Sequence, residues 1–223
     1  MPTSFDHLVF AATTLEEGLD WFEARTGLRL PAGGRHDLMG THNCVAALDA
    51  STYIELIAID PQAAKPGRAR WFGLDDPAVQ AKLAEGPRPL TWVARSPDLM
   101  AALAGLRSAG LDGGEALVMS RGTLSWQFGA RPDGALLEQG VLPAIIEWPE
   151  KDELSEGVHP AARMTPSGLV LQNLQLTHPD PDFLKTALLA TGFDAPPDFI
   201  EIRQGPHGIQ FALTTPNGVN MIV

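Results

Sequence analysis

The sequence predicts an α+β protein built from three copies of one unit, strand–helix–strand–strand–strand. Three observations carry that expectation. Three amphipathic stretches begin at cap residues and end in glycine. An apolar, strand-like run precedes each one. About three more follow it.

The first helix starts at Thr14-Leu15-Glu16-Glu17, a capping box in which the hydroxyl and the carboxylate three residues on satisfy free backbone N–H groups. Leu15, Leu19 and Phe22 then recur at helical spacing, and Gly27 stops the helix. Ser96-Pro97 opens the second helix, with Leu99, Leu103 and Leu106 as its stripe and Gly110 as its end. Asp180-Pro181 opens the third, with Phe183, Leu184, Ala187 and Leu188 as its stripe and Gly192 as its end. The leading strands are expected at 5–11, 90–94 and 169–177. The trailing ones are expected at 28–30, 44–48 and 53–59, at 116–120, 124–128 and 142–148, and at 199–203, 209–214 and 219–223. The units thus span 1–60, 89–148 and 168–223, the last a partial or variant copy. A linker at 61–88 carries Trp71-Phe72-Gly73-Leu74, apolar enough to pack; a second at 149–167 is acidic from Glu150 to Glu156.

In such a unit the helix leaves one sheet face uncovered, so two units side by side can curl around a shared concavity. The third must cover its face by stacking on that pair or by meeting its equivalent in a second copy. The latter arrangement makes a two-fold homodimer.

Bulk properties narrow the function. Hydrophobic residues at 44% and charged residues at 19% are ordinary for a globular chain, and 223 residues suffice for a sizeable core. The net charge is -11 and no Lys/Arg cluster occurs, so nucleic acid and anionic membrane surfaces are not expected partners. No apolar run approaches the ~20 residues of a membrane span, and the opening residues 1–6 have neither a basic nor an apolar leader region. The expectation is a cytoplasmic protein that binds a small molecule. Cys44, the only cysteine, has no basic neighbour and reads as an inert buried thiol. There is no phosphate loop and no Gly-X-Ser-X-Gly elbow.

Chemistry-bearing residues recur at matching places. His7 opens the first strand and Glu55 sits inside Tyr53-Ile54-Glu55-Leu56-Ile57. Glu147 stands in Ile145-Ile146-Glu147-Trp148 near the end of the second unit. A carboxylate in an apolar strand faces either solvent or a polar cup. One imidazole and two carboxylates suit Fe(II), Mn(II), Ni(II) or Zn(II). Gly33-Gly34 ahead of His36 implies a bend that brings backbone close to something. His36, Thr41 and Asn43 are candidate donors to a carbonyl or carboxylate ligand, and His36 is also the spare general base. Trp92 and Trp126 are candidate apolar walls, and Arg121 a candidate anion clamp. His159, His178 and His207 read as structural or loop residues.

The series Asp6-His7-Leu8-Val9-Phe10, Gly33-Gly34-Arg35-His36, Gly40-Thr41-His42-Asn43, Tyr53-Ile54-Glu55-Leu56-Ile57, Trp71-Phe72-Gly73-Leu74, Ser120-Arg121, Pro132-Asp133-Gly134 and 142–148 resembles the glyoxalase-like domain branch of the vicinal oxygen chelate superfamily. The resemblance implies paired βαβββ units forming a cup-shaped, half-open β-barrel. It also implies one divalent metal ion at the cup floor, held from the first and last strands of two units, with lyase, isomerase or dioxygenase chemistry. Metal-free members that only sequester a ligand are the alternative. On this chain the ligand positions fall on His7, Glu55 and Glu147, the last also a catalytic candidate beside His36. Thr91 takes the fourth position, where threonine is a poor ligand.

Overall fold

A computed structural model of the chain describes residues 2–122, 124–149, 159–194 and 197–222. The acidic stretch Glu150–Glu156 lies outside the described residues.

The first unit runs β1 (Ser4–Ala11), α1 (Leu15–Thr26), β2 (Ala32–His36), β3 (Thr41–Ala47) and β4 (Tyr53–Ile59). Thr14 caps α1 by accepting from Glu17 N, and Gly27 closes it in the left-handed region at φ 73°. The strand expected at 28–30 lies at Ala32–His36 instead, across the two glycines that the propensity argument reads as a bend. In the linker, a 3-10 turn at Trp71–Gly73 buries its aromatic pair, and helix α2 (Pro77–Ala84) follows, capped by Asp76. The sequence pattern of the linker predicts no helix there. The second unit is β5 (Arg88–Arg95), α3 (Leu99–Ser108), β6 (Glu115–Arg121), β7 (Leu124–Ala130) and β8 (Ala144–Glu147). The cap of α3 is Asp98, which accepts from Ala101 N, rather than Ser96. The third comprises β9 (Val170–His178), α4 (Pro181–Ala190), β10 (Ile200–Gln204), β11 (Gly208–Thr214) and β12 (Asn220–Ile222).

The first two units share one sheet, ordered β2-β3-β4-β1-β5-β8-β7-β6. In each, the leading strand pairs in parallel with the trailing one, and β1 joins β5 antiparallel across the middle. The outer strands meet where Gly34 packs against Arg121, so the sheet curls into a cup. The third unit has the same element order but a different ladder, β10-β9-β11-β12, with its second strand directly beside its first.

Alternation along the strands divides the core in two. Outward-facing Leu8, Phe10, Trp92, Ala94 and Ile145 pack under α1 and α3 and against the third sheet through Leu174, Leu176, Phe211 and Leu213. Phe10 meets Phe211 edge to face at 5.1 Å. The third unit therefore covers its apolar face within the same chain, by stacking on the outside of the cup. Inward-facing Val9, Ala11, Ile57, Val93, Trp126, Phe128 and Ile146, closed by Trp71 and Phe72, line the concavity. Among the described residues, no helix is long and apolar enough to cross a membrane.

Helices α3 and α4 cross at Gly105, where an added Cβ would lie 1.7 Å from Ala190 O. Backbone cannot yield as a side chain can, so Gly105→Ala should destabilise the protein by ~1–3 kcal/mol, a fall of roughly 3–10 °C in Tm. Thermal melting checks this; an unchanged Tm would show that the two helices do not touch in solution.

Candidate active site in the cup

A β-bulge builds the site. The β1–β5 register runs Phe5↔Ala94 and then His7↔Val93, so Asp6 is an extra residue without a partner. Phe5 therefore joins the outer core, while neighbouring Asp6 and His7 share one buried hydrogen-bonded cluster. Regular alternation would have separated those two side chains.

Asp6 is fully buried. Its Oδ1 lies 2.6 Å from His7 Nδ1; its Oδ2 accepts from Trp148 Nε1 at 2.9 Å, faces His159 Nε2 at 3.0 Å and has Arg95 Nη1 at 3.8 Å. Burial opposes its ionisation, but the hydrogen bonds from His159 and His7 outweigh that and hold the carboxyl far below the ordinary range. The His7 ring stacks on Tyr53 at 4.2 Å and presents Nε2 to Glu55 Oε2 at 3.6 Å. Burial would lower the His7 pKa; the hydrogen bonds and charges of Asp6 and Glu55 reverse that and raise it above 6.5. Glu55 is buried too, yet His7, His36 and a 2.6 Å hydrogen bond from Asn43 Nδ2 keep its pKa lowered.

Asn43 Oδ1 accepts from Gly34 N at 2.9 Å and from Arg121 Nη1 at 3.3 Å. The two glycines are required by this closeness. A Cβ on Gly33 would sit 2.2 Å from Asn43 Oδ1, and one on Gly34 would sit 2.5 Å from Arg121 Cδ. His36 is held by the Thr41 hydroxyl at 3.1 Å, which also accepts from Trp71 Nε1 at 3.2 Å. Burial pushes its pKa down to about 4, so it is neutral at physiological pH. Thr41 thus positions His36 rather than lining the cavity. His7, His36, Asn43, Glu55, Arg121 and Trp126 do line it, closed by Trp71, Trp148, Pro160 and Met164. The free space is about 30 Å³, room for a water or two. Cys44 lies buried outside it with a raised pKa, an inert thiol.

Glu147 and Trp92 are elsewhere. Glu147 follows inward-facing Ile146, so it points outward, where Oε2 accepts from Leu99 N at the start of α3 at 2.6 Å and Oε1 from Gln127 Nε2 at 3.5 Å. Its place in the fold is the end of a helix, away from the cup. Trp92 also faces outward, fully buried, donating to Val141 O at 2.9 Å. The ladders explain the first displacement. Val9 pairs with Glu55, and Val93 pairs with Ala144, so the residue equivalent to Glu55 is Ala144, not Glu147. Thr91, at the position equivalent to His7, donates to Gly140 O at 3.0 Å.

The donors for a divalent ion in the cup are therefore two, His7 Nε2 and Glu55 Oε2. Among the described residues, no third His, Cys, Asp or Glu donor completes a compact set with them. Catalytic metal sites ordinarily have three protein donors, so this cup does not fit the metal centre that the resemblance implies. Sequence reasoning missed Asp6 and His159; the adjacency of Asp6 to His7 was a signal, but only the bulge makes it meaningful.

One solved structure shares this architecture over the whole length of this chain. The crystal structure of a hypothetical protein from Staphylococcus aureus superposes with a TM-score of 0.66 at 16% identity, covering 100% of this chain and 98% of that one. Methylmalonyl-CoA epimerases from Streptomyces coelicolor (TM-score 0.40, 19% identity, 66% of this chain and 96% of that one) and Mycobacterium tuberculosis (TM-score 0.39, 23% identity, 69% and 91%) are more distant. No curated protein sequence matches the chain. The family model for the glyoxalase-like domain matches residues 5–192, from β1 through α4, and the chain belongs to that family.

Proposed function

We propose that the cup is the active site of an enzyme that moves a proton on a small carbonyl compound carrying an anionic group, without a metal ion in the cup. The observation that carries this reading is the buried Asp6–His7–Glu55 series. An imidazole held between two carboxylates can accept a proton and return it within one reaction cycle. Asp6 accepts a hydrogen bond from Nδ1–H, stays ionised and fixes the tautomer, leaving Nε2 to exchange a proton with the ligand, while Glu55 stabilises the imidazolium that forms. Arg121 and the neutral His36 at the same wall suit an oxyanion developing on the carbonyl. The ligand enters by displacing the roof around Pro160 and Met164, since the resting cavity holds only a water or two. Sequestration of a ligand without chemistry is the second reading, and the absence of donors at Thr91 and Ala144 suits it as well.

Exchange of α-protons in deuterium oxide, followed by NMR across a panel of small 2-oxo acids, hydroxyketones and thioesters, tests the reading. At least one compound should exchange, and His7→Gln should slow that exchange by ~10²–10⁴-fold. Exchange unaffected in His7→Gln contradicts the proposal; binding with no exchange favours sequestration. Arg121→Gln should weaken a carboxylate ligand by about tenfold or more while sparing a neutral analogue. Equal losses for both ligands, measured by calorimetry, would remove the clamp role.

The buried histidines also fix the pH response. His36 has its folded pKa pushed down to about 4, so below about pH 6.5 the unfolded chain takes up a proton that the native chain refuses. Stability falls as pH drops through that window, by up to about 3 kcal/mol. The His7 pKa is raised, so its contribution is complete below about 6.5 and lost as pH rises through the folded value. Urea titrations of His36→Gln should show a flatter acid limb between about pH 6 and 4 than the parent. Parallel limbs would mean that His36 is not held neutral.

A further inference from the structure

A second group of ligating side chains lies outside the cup, where the second and third units meet. Glu138 belongs to the 3-10 turn Leu137–Gly140 that precedes β8. His178 ends β9, and His207 stands in the turn before β11. The Nε2 atoms of His178 and His207 each lie 3.2 Å from Glu138 Oε2. All three donor atoms are within 4.8 Å of one another, with His178 buried and the other two half-buried.

Two imidazoles and a carboxylate are a donor set for borderline divalent ions. Metal–ligand bonds of ~2.0–2.1 Å at a tetrahedral angle place neighbouring donors about 3.3 Å apart, close to the spacing here. The ring orientations agree. His178 Nδ1 is 2.7 Å from Asp180 O, and a proton donated there leaves a lone pair on Nε2 facing the carboxylate. That arrangement repels unless a proton or a metal cation lies between them, and donation from Nδ1–H is how metal-bound imidazoles are held from behind. Asp180 N, 2.9 Å from the same nitrogen, serves the other tautomer. Behind His207, the Gln139 side-chain amide lies 3.1 Å from Nδ1, and an amide can present either its oxygen or its nitrogen. Glu138 and Gln139 adopt left-handed φ values of 43° and 56°, unusual for non-glycine residues, and so aim their side chains at the two histidines. A cavity of about 370 Å³ borders the group, lined by Lys82, Arg88, Leu136, Gln139 and His207.

We infer that Glu138, His178 and His207 bind one zinc-type divalent cation that ties the third unit to the barrel and keeps an open coordination position toward this cavity. The imidazoles bind as neutral ligands, so any proton shared with Glu138 in the metal-free state is released to solvent on binding.

The test uses the whole chain carrying His7→Gln, which removes a donor from the cup, stripped with chelator and titrated with Co²⁺. The visible absorption of tetrahedral Co²⁺ should appear and saturate at one equivalent. Glu138→Gln and His207→Ala, both at partly open positions, should each weaken binding beyond the ~10–100-fold that loss of an outer partner costs. Zn²⁺ should raise the Tm of the His7→Gln protein and leave that of His7→Gln/Glu138→Gln unchanged. Absence of binding overturns the inference, as does binding that is undiminished by Glu138→Gln and His207→Ala relative to the His7→Gln parent. Binding by the native chain that disappears with His7→Gln alone places the ion in the cup and overturns it too.

Discussion

The buried carboxylate of Asp6 is the constraint on which the rest of the cup depends. A charge without solvent is tolerated only with partners, and removing one partner of such a group typically costs 3–5 kcal/mol. Asp6 collects its partners from four places: His7 on its own strand, Arg95 at the end of β5, Trp148 after β8 and His159 beyond the acidic stretch. One side chain thus ties the joint between the two units to the roof of the cavity. It also fixes the ring of His7, and through that ring the relation to Glu55. The bulge is what permits this, by displacing Phe5 to the outer core and leaving two neighbouring polar residues inside.

The cup is asymmetric in chemistry though symmetric in topology. Polar groups come from the first unit, at His7, His36, Asn43 and Glu55, while the second supplies Arg121 and the walls of Trp126 and Phe128. At the positions equivalent to His7 and Glu55 the second unit spends Thr91 on anchoring the turn at Gly140 and fills the other place with Ala144. That same turn carries Glu138 to the third unit. The turn that Thr91 anchors and the carboxylate that meets the histidine pair therefore lie in one short segment.

Much of the fold was legible because helices announce themselves. Thr14, Asp180, Gly27 and the leucine stripes are local signals, and packing had only to agree with them. The failures also have local causes. The strand Ala32–His36 contains two glycines, which close contacts with Asn43 and Arg121 require and which propensity counts against a strand. Glu147 shares a face with Ile145, as alternation says, but periodicity cannot tell which of two faces, both apolar, is the cup. Trp92 fails for the same reason. Glu55, Asn43 and His36 of the first unit and Arg121 of the second line one cavity, and Glu55 is buried there with partners. His159, His178 and His207 looked like loop residues because their partners, Asp6 and Glu138, are distant in sequence.

The direct measurement of the central claim is NMR titration of the His7 imidazole in ¹⁵N-labelled protein, with Asp6→Asn as its comparison. The account predicts a proton fixed on Nδ1 and a titration midpoint above 6.5 in the parent, moving down when the Asp6 charge is removed. A His7 ring that titrates like a solvent-exposed histidine, indifferent to Asp6→Asn, would contradict it.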